Sequence, residues 1–317
     1  MVTVHDMHHA RARIAGRVHQ TPIVGSSTIA AMAGAARFEL KCESVQKTGS
    51  FKVRGVLNKL SQLSDDARGR GVVTVSAGNH AQAMAWGARA AGVRCTVVMP
   101  ANASRTKVAA SIGYGANVIQ HGTGADAFRM ALALAESDGF TFVHPFDDDH
   151  VIAGAGTAGL EIFDQTSAPD IVVVPIGGGG LIAGIAIAVK ETSPSTRVIG
   201  VEPSGAAVMR QSLDAGRALT MDQMNTIADG LAAPMAGVRN YDVVRRYVDD
   251  VVLVSDEEII EAMKLLLSRC KLLAEPAGAA ATSAVLAGRI ALSGSEHVVA
   301  LLSGGNVDLE KLALLVG

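Results

Sequence analysis

Short runs of branched aliphatic residues alternate with longer alanine-rich stretches along most of this chain, and that alternation is the strongest constraint on its fold. Apolar runs of strand length carry no polar alternation, so both of their faces must be covered. An α/β protein with mainly parallel sheets and helices on both sides satisfies that demand. Strands are expected at 37–41, 71–75, 93–99, 116–120, 140–143, 170–175, 197–202, 251–254 and 297–302. Helices are expected at 5–17, 50–60, 80–91, 104–112, 125–137, 153–165, 181–190, 256–268 and 276–287. Ser255 with Glu258 reads as a capping box, and Pro276 suits a first helical turn, where no intrahelical N–H bond is needed.

At 317 residues the chain can bury one large core or two modest ones. Residues 64–144 contain enough strand-helix units for a smaller sheet of their own. A formal net charge of −2 with 18% charged residues offers no basic face for nucleic acid, so a small-molecule partner is expected. Cys42, Cys95 and Cys270 are few, odd in number and scattered, which suits a reducing compartment and three small hydrophobes. Residues 1–17 lack the apolar segment of a signal peptide, and a cytoplasmic location is expected. Residues 171–189 carry no charge, but Pro175 and four consecutive glycines break them into strand, turn and helix rather than a membrane span.

Four motifs carry chemistry. Lys52 lies in Lys47-Thr48-Gly49-Ser50-Phe51-Lys52-Val53-Arg54-Gly55, where a tight turn enters a helix beside an aromatic ring. A desolvated amine there can form an imine and later act as a base. Ser76-Ala77-Gly78-Asn79-His80-Ala81-Gln82 follows a strand and opens a helix, a turn whose N–H groups can receive a carboxylate. Gly177, Gly178, Gly179 and Gly180 lack side chains between a strand and an apolar helix, so the backbone can close around a phosphate. The run has neither the P-loop lysine nor the dinucleotide glycine spacing. Ser303-Gly304-Gly305-Asn306 follows the last strand, and the Ser303 hydroxyl can meet a ring nitrogen as a neutral partner. An imine-forming amine with a phosphate nest points to pyridoxal 5'-phosphate and amino acid chemistry.

In this order, from Thr21-Pro22 to Ser303-Gly304-Gly305-Asn306, the motifs resemble the fold-type II pyridoxal-phosphate enzymes, specifically the threonine ammonia-lyase and serine racemase family. The resemblance implies a tryptophan-synthase β-like α/β fold, with two open, mainly parallel sheets and the cofactor between domains. Residues 1–63 and 145–317 would form the large cofactor-binding domain and 64–144 the small substrate-side domain. It implies that Lys52 is the Schiff-base lysine, that Phe51 lies near the cofactor ring, and that Gly177, Gly178, Gly179 and Gly180 hold the phosphate. Asn79 would meet the 3'-oxygen, Ser303 the pyridine nitrogen, and Glu275, with Pro276, would lie near the ring. Ser76, Ala77, Asn79 and His80 form the turn expected at the substrate.

The implied activity is β-elimination of L-threonine or L-serine to a 2-oxo acid and ammonia, by a homodimer. The rivals are a serine racemase, a dehydratase of another β-hydroxy amino acid (hydroxyaspartate, phenylserine or a hydroxyectoine-derived metabolite), and an inactive binding protein of the same fold. Related racemases carry serine at the position of Ala77, and a methyl group transfers no proton, which favours elimination. Glu202, in Gly200-Val201-Glu202-Pro203, matches a cation ligand of some members, whereas Val208 replaces an aspartate of the divalent site; a monovalent or divalent cation is thus an accessory expectation. Ala155 stands where many relatives have glutamine. With Gly317 soon after the Ser303 motif, no isoleucine-regulated region is expected. Asp147-Asp148-Asp149 reads as a solvated turn, and His8-His9 as structural or solvent-facing.

Overall fold

The computed structural model describes residues 1–317. Its strands are β1 (Ile23–Gly25), β2 (Arg37–Cys42), β3 (Val72–Val75), β4 (Cys95–Met99), β5 (Asn117–Gln120), β6 (Thr141–Phe142), β7 (Ile171–Pro175), β8 (Arg197–Pro203), β9 (Asp250–Val254) and β10 (His297–Leu302). They form a six-stranded sheet in the order β1-β2-β10-β7-β8-β9 and a four-stranded sheet in the order β5-β4-β3-β6. All ladders are parallel except the β1–β2 pair at one edge.

The uniform aliphatic runs explain the layering. Every residue of β7 and β10 is buried. Ile171 and Val173 pack in a core with Ala277, Ala280 and Ala284 of the helix Pro276–Leu286, whereas Val172 and Val174 pack with Ile182, Ile185 and Val189 of the helix Gly180–Thr192. Successive side chains thus meet helices on opposite faces, as a parallel sheet requires. Around the smaller sheet, Val72 and Val97 share a core with Ala81, Met84 and Ala88 of the helix Asn79–Ala90.

Close backbone contact locks the central helices. A Cβ on Gly154 would lie 2.6 Å from the Arg54 carbonyl oxygen, so Lys52–Leu60 and Asp149–Gln165 approach nearer than alanine permits. Ser255 and Glu258 form the expected capping box, and Pro276 opens its helix.

The structure also corrects the sequence reading. The edge strand β1 and the helices Ser27–Ala33, Asp65–Arg70, Val208–Ala215, Val238–Tyr247 and Leu309–Val316 were not expected. Most are short and lie outside the regular alternation; Ser26 and Gly34 cap the first of these helices, and Ser64 opens the second. The helix expected at 153–165 begins at Asp149, because Asp148 Oδ1 accepts the His150 and Val151 N–H groups. The helix expected at 256–268 ends at Leu265 and widens into a π turn over Leu266–Cys270 before Lys271 takes a left-handed φ of 59°. The segment 171–189 is strand, turn and helix, and no helix is long and apolar enough to cross a membrane. Asp147-Asp148-Asp149 is not simply a solvated turn: Asp147 accepts the Val238 and Arg239 N–H groups, and Asp148 pairs with Lys59 at 2.6 Å.

Candidate active site

A cleft of about 650 Å³ is lined from both sheet systems, by Phe51, Lys52, Ser76, Ala77, Asn79, His80, Gly177, Gly178, Gly179, Gly180, Glu275 and Ser303. Residues distant in sequence therefore share one space of ligand-pocket size.

Lys52 reaches that space through a strained approach. Thr48 and Gly49 take left-handed φ values of 61° and 71°, after which Ser50 bridges Gly304 and the Phe51 N–H donates to the Ser303 carbonyl at 3.1 Å. The left-handed turn is costly for threonine and natural for glycine. Its result is that Lys52 starts the helix Lys52–Leu60, with Nζ 2.9 Å from the Pro145 carbonyl and 5.1 Å from the Phe51 ring centre. Burial lowers the amine to about 8, against the opposing charge of Glu275.

The far side of the same helix is anchored by buried charge. Arg54 donates through Nε and Nη2 to Glu43 at 2.8 Å each, and through Nη1 and Nη2 to Glu161 at 2.6 and 2.8 Å. Lys41 Nζ completes the group, 2.6 Å from Glu161. Two cations thus neutralise two carboxylates, with hydrogen bonds in place of lost water.

The 76–80 turn delivers backbone donors. Helix Asn79–Ala90 starts after Gly78 with no side-chain cap, so its first N–H groups are left for another partner. Ser76 Oγ accepts from the Gly78 N–H at 3.2 Å, and Ala77 contributes a methyl. Asn79 Nδ2 donates to Glu275 Oε1 at 2.6 Å, while Asn79 Oδ1 accepts from Asn306 Nδ2 at 2.8 Å. These opposite roles fix the direction of the Asn79 amide. His80 is only 2% exposed, with Nε2 3.0 Å from Thr74 Oγ1. Burial holds its ring neutral, well below the usual histidine range, and its ring is directed at the strand β3.

The glycine turn is closed by packing that tolerates no side chain. A Cβ on Gly178 would lie within 2.5 Å of the Phe146 ring, and one on Gly180 would be 2.8 Å from the Phe146 carbonyl oxygen. Gly179 has φ 94° and precedes the helix Gly180–Thr192 without a side-chain cap. The free N–H groups at that helix start suit an anion. Ser303 is 4% exposed, with Oγ 3.4 Å from the Ala277 carbonyl, a long contact that leaves the hydroxyl available to another group. Glu275 is 8% exposed, and burial raises its carboxyl to about 7 despite the Asn79 bond.

A desolvated amine and an anion cradle without side chains in one cleft fit pyridoxal 5'-phosphate. The sequence pattern of the family described as pyridoxal-phosphate dependent enzyme matches residues 14–304. The chain belongs to the pyridoxal-phosphate dependent enzymes.

Pyridoxal-phosphate dependent enzymes similar to this chain include a Thermotoga maritima protein named L-threonine ammonia-lyase, 42% identical over 317 residues that cover 100% of this chain and 78% of that one. Among solved structures, a threonine deaminase from T.th. matches with a TM-score of 0.90 and 42% identity, covering 97% of this chain and 99% of the other. Maize serine racemase matches with a TM-score of 0.94 and 39% identity, covering 99% and 96%.

Within this pyridoxal-phosphate dependent enzyme, Glu202 does not line the cleft. Its two carboxylate oxygens accept the Met209 and Arg210 N–H groups at 2.8 Å each, at the start of the helix Val208–Ala215. No group of three or more His, Cys, Asp or Glu side chains is gathered to hold a metal ion. In this arrangement the Glu202 carboxylate caps the start of the helix Val208–Ala215, a role that needs only backbone donors close at hand.

Sequence reasoning missed Pro145, Phe146 and Asn240 and did not single out Asn306 as a site residue. Asn240 Nδ2 donates to both the Phe146 and Gly178 carbonyls, at 3.2 and 2.8 Å. No local pattern announces such an asparagine. Asn306 lay in the Ser303 motif, where its position after two glycines was the available signal.

Proposed function

We propose that this chain is an ammonia-lyase that eliminates water from L-threonine, L-serine or both, the released unsaturated amine then taking up water to give a 2-oxo acid and ammonia. The single observation that carries the reading is the Lys52 amine, lowered to about 8 by burial, in the same cleft as the glycine turn. The 42% identity to a protein named L-threonine ammonia-lyase supports the substrate class.

In this reading Gly177, Gly178, Gly179 and Gly180 hold the cofactor phosphate, Ser303 meets its ring nitrogen, Asn79 its 3'-oxygen, and Phe51 and Glu275 flank the ring. The bound cofactor supplies an electron sink for the carbon that loses its proton. Lys52 Nζ would hold the cofactor covalently, and as a neutral amine Lys52 would take the substrate's α-proton. The lowered basicity of Lys52 keeps a useful share of neutral amine near neutral pH. The substrate carboxylate is received by Ser76 and the N–H groups at the start of the helix Asn79–Ala90, where the positive end of the helix favours an anion. Ala77 and the His80 main chain complete that turn.

Residues 64–144 are read as the small domain and 1–63 with 145–317 as the large one, with a cytoplasmic homodimer as the working form. Racemisation is the second reading, since maize serine racemase has the same fold with 39% identity. Ala77 argues for elimination, because its methyl can neither accept nor return a proton.

The deciding experiment supplies L- and D-threonine and L- and D-serine and follows 2-oxo acid, ammonia and the chirality of the remaining amino acid. Stoichiometric 2-oxo acid and ammonia are expected, falling by about 10²-fold or more in Lys52→Ala. Abundant D-serine with little pyruvate would overturn elimination in favour of racemisation.

A further inference from the structure

Between the two sheet systems the chain turns sharply at His144-Pro145-Phe146-Asp147, and this turn touches both ends of the cleft. The Pro145 carbonyl accepts the Lys52 amine at 2.9 Å. The next residue, Phe146, packs its ring where a Cβ on Gly178 would be, and Asn240 ties the Phe146 carbonyl to the Gly178 carbonyl. What bends the turn is an imidazole: His144 Nδ1 accepts the Phe146 N–H at 3.3 Å and the Asp147 N–H at 2.9 Å.

The ring is also held from the sides. It meets Phe146 at 4.6 Å between ring centres and Phe128 and Phe142 at 6.0 Å, all edge-on. Two N–H donors on Nδ1 require that nitrogen to carry no proton, so the neutral ring keeps its proton on Nε2. Burial holds the group at about 4, with Asp147 and Asp148 opposing and Lys52 and Arg239 reinforcing the shift.

We infer that His144 is a positioning residue, whose Nδ1 fixes the Pro145-Phe146 turn and thereby sets the Lys52 amine and the glycine turn at their working separation. It touches neither the reacting atoms nor the phosphate; its effect passes through the Pro145 carbonyl and the Phe146 ring. Asparagine can offer an amide oxygen as acceptor, whereas leucine leaves two backbone donors without one. The inference rests on the cofactor assignment and is independent of the substrate, so its test reads the cofactor and not turnover.

The test compares parent, His144→Asn and His144→Leu as full-length proteins, measuring the dissociation constant for pyridoxal 5'-phosphate and the pH midpoint of the lysine-cofactor absorbance band. His144→Leu is expected to weaken cofactor binding by roughly ten-fold or more and to move the midpoint, with His144→Asn recovering most of both. Unchanged affinity and midpoint in His144→Leu, or equal loss in the two variants with circular dichroism intact, would overturn it. Should His144→Leu fail to fold, nitrogen-15 NMR of the parent decides: a His144 ring neutral and protonated on Nε2 from pH 6 to 8 is expected. A His144 ring that titrates near the ordinary histidine value, or carries its proton on Nδ1, refutes the inference.

Discussion

The Lys52 amine is 2.9 Å from the Pro145 carbonyl oxygen, a contact made across 93 residues of chain. The carbonyl orients the amine, while burial disfavours its charge and Glu275 favours it, so two opposing influences act on the protonation of one nitrogen.

Imine formation between the cofactor-free protein and added pyridoxal 5'-phosphate should follow the neutral amine. Burial depresses a cation's pKa, so the reactive fraction rises with pH around about 8 and not around the ordinary lysine value of 10.5. Stopped-flow absorbance across pH 6 to 10 checks this. A rate still climbing steeply above pH 10 would contradict it.

Gly178→Ala should weaken cofactor binding without unfolding the protein. The added methyl meets the Phe146 ring, and relieving that clash costs about 1 to 3 kcal/mol. Because Phe146 belongs to the turn that meets Lys52, cofactor affinity should fall at least ten-fold while the far-ultraviolet spectrum is retained. Equilibrium dialysis of the cofactor measures the first quantity.

The charge group beneath the lysine helix should be far more sensitive than the surface pairs. Arg54→Met leaves Glu43 and Glu161 buried with Lys41 as their remaining cation, and about 3 to 5 kcal/mol of stability should be lost. Arg239→Ala removes contacts of a side chain that is 56% exposed and should cost under about 1 kcal/mol. Urea unfolding of the two variants under one buffer compares them; similar losses would argue against the buried group as an anchor.

Glu202 should make stability depend on pH without any metal. Burial raises its carboxyl from 4.5 to about 7 in the folded protein. A raised carboxyl favours the fold fully below the unfolded value, and that contribution disappears as pH climbs through about 7. Glu202→Gln should therefore lose less stability than the parent between pH 5 and 8, by on the order of 1 kcal/mol. Adding a chelator should leave the parent's melting temperature unchanged. A chelator-induced drop would instead support a bound cation.

Much of the fold was legible because its signals are local. The aliphatic runs 171–175 and 297–302 can only be strands covered on both faces, and Gly177 to Gly180 can only be a turn before an apolar helix. Lys52, Asn79 and Ser303 were readable from motifs whose order along the chain is itself distinctive. By contrast, Asp147 and Asp148 read as solvated acids because their backbone and lysine partners lie 89 to 92 residues away.

The alternation of strand and helix, the lysine at the start of its helix and the bare-backbone turn could all be read from the chain alone, since each depends on neighbours within a few residues. That Glu202 caps a helix, that the His80 ring faces Thr74, and that Pro145, Phe146 and Asn240 join the lysine to the glycine turn emerge only once the chain is folded. Those outcomes depend on which distant donors and acceptors meet in a space without water, where every polar group must find a partner.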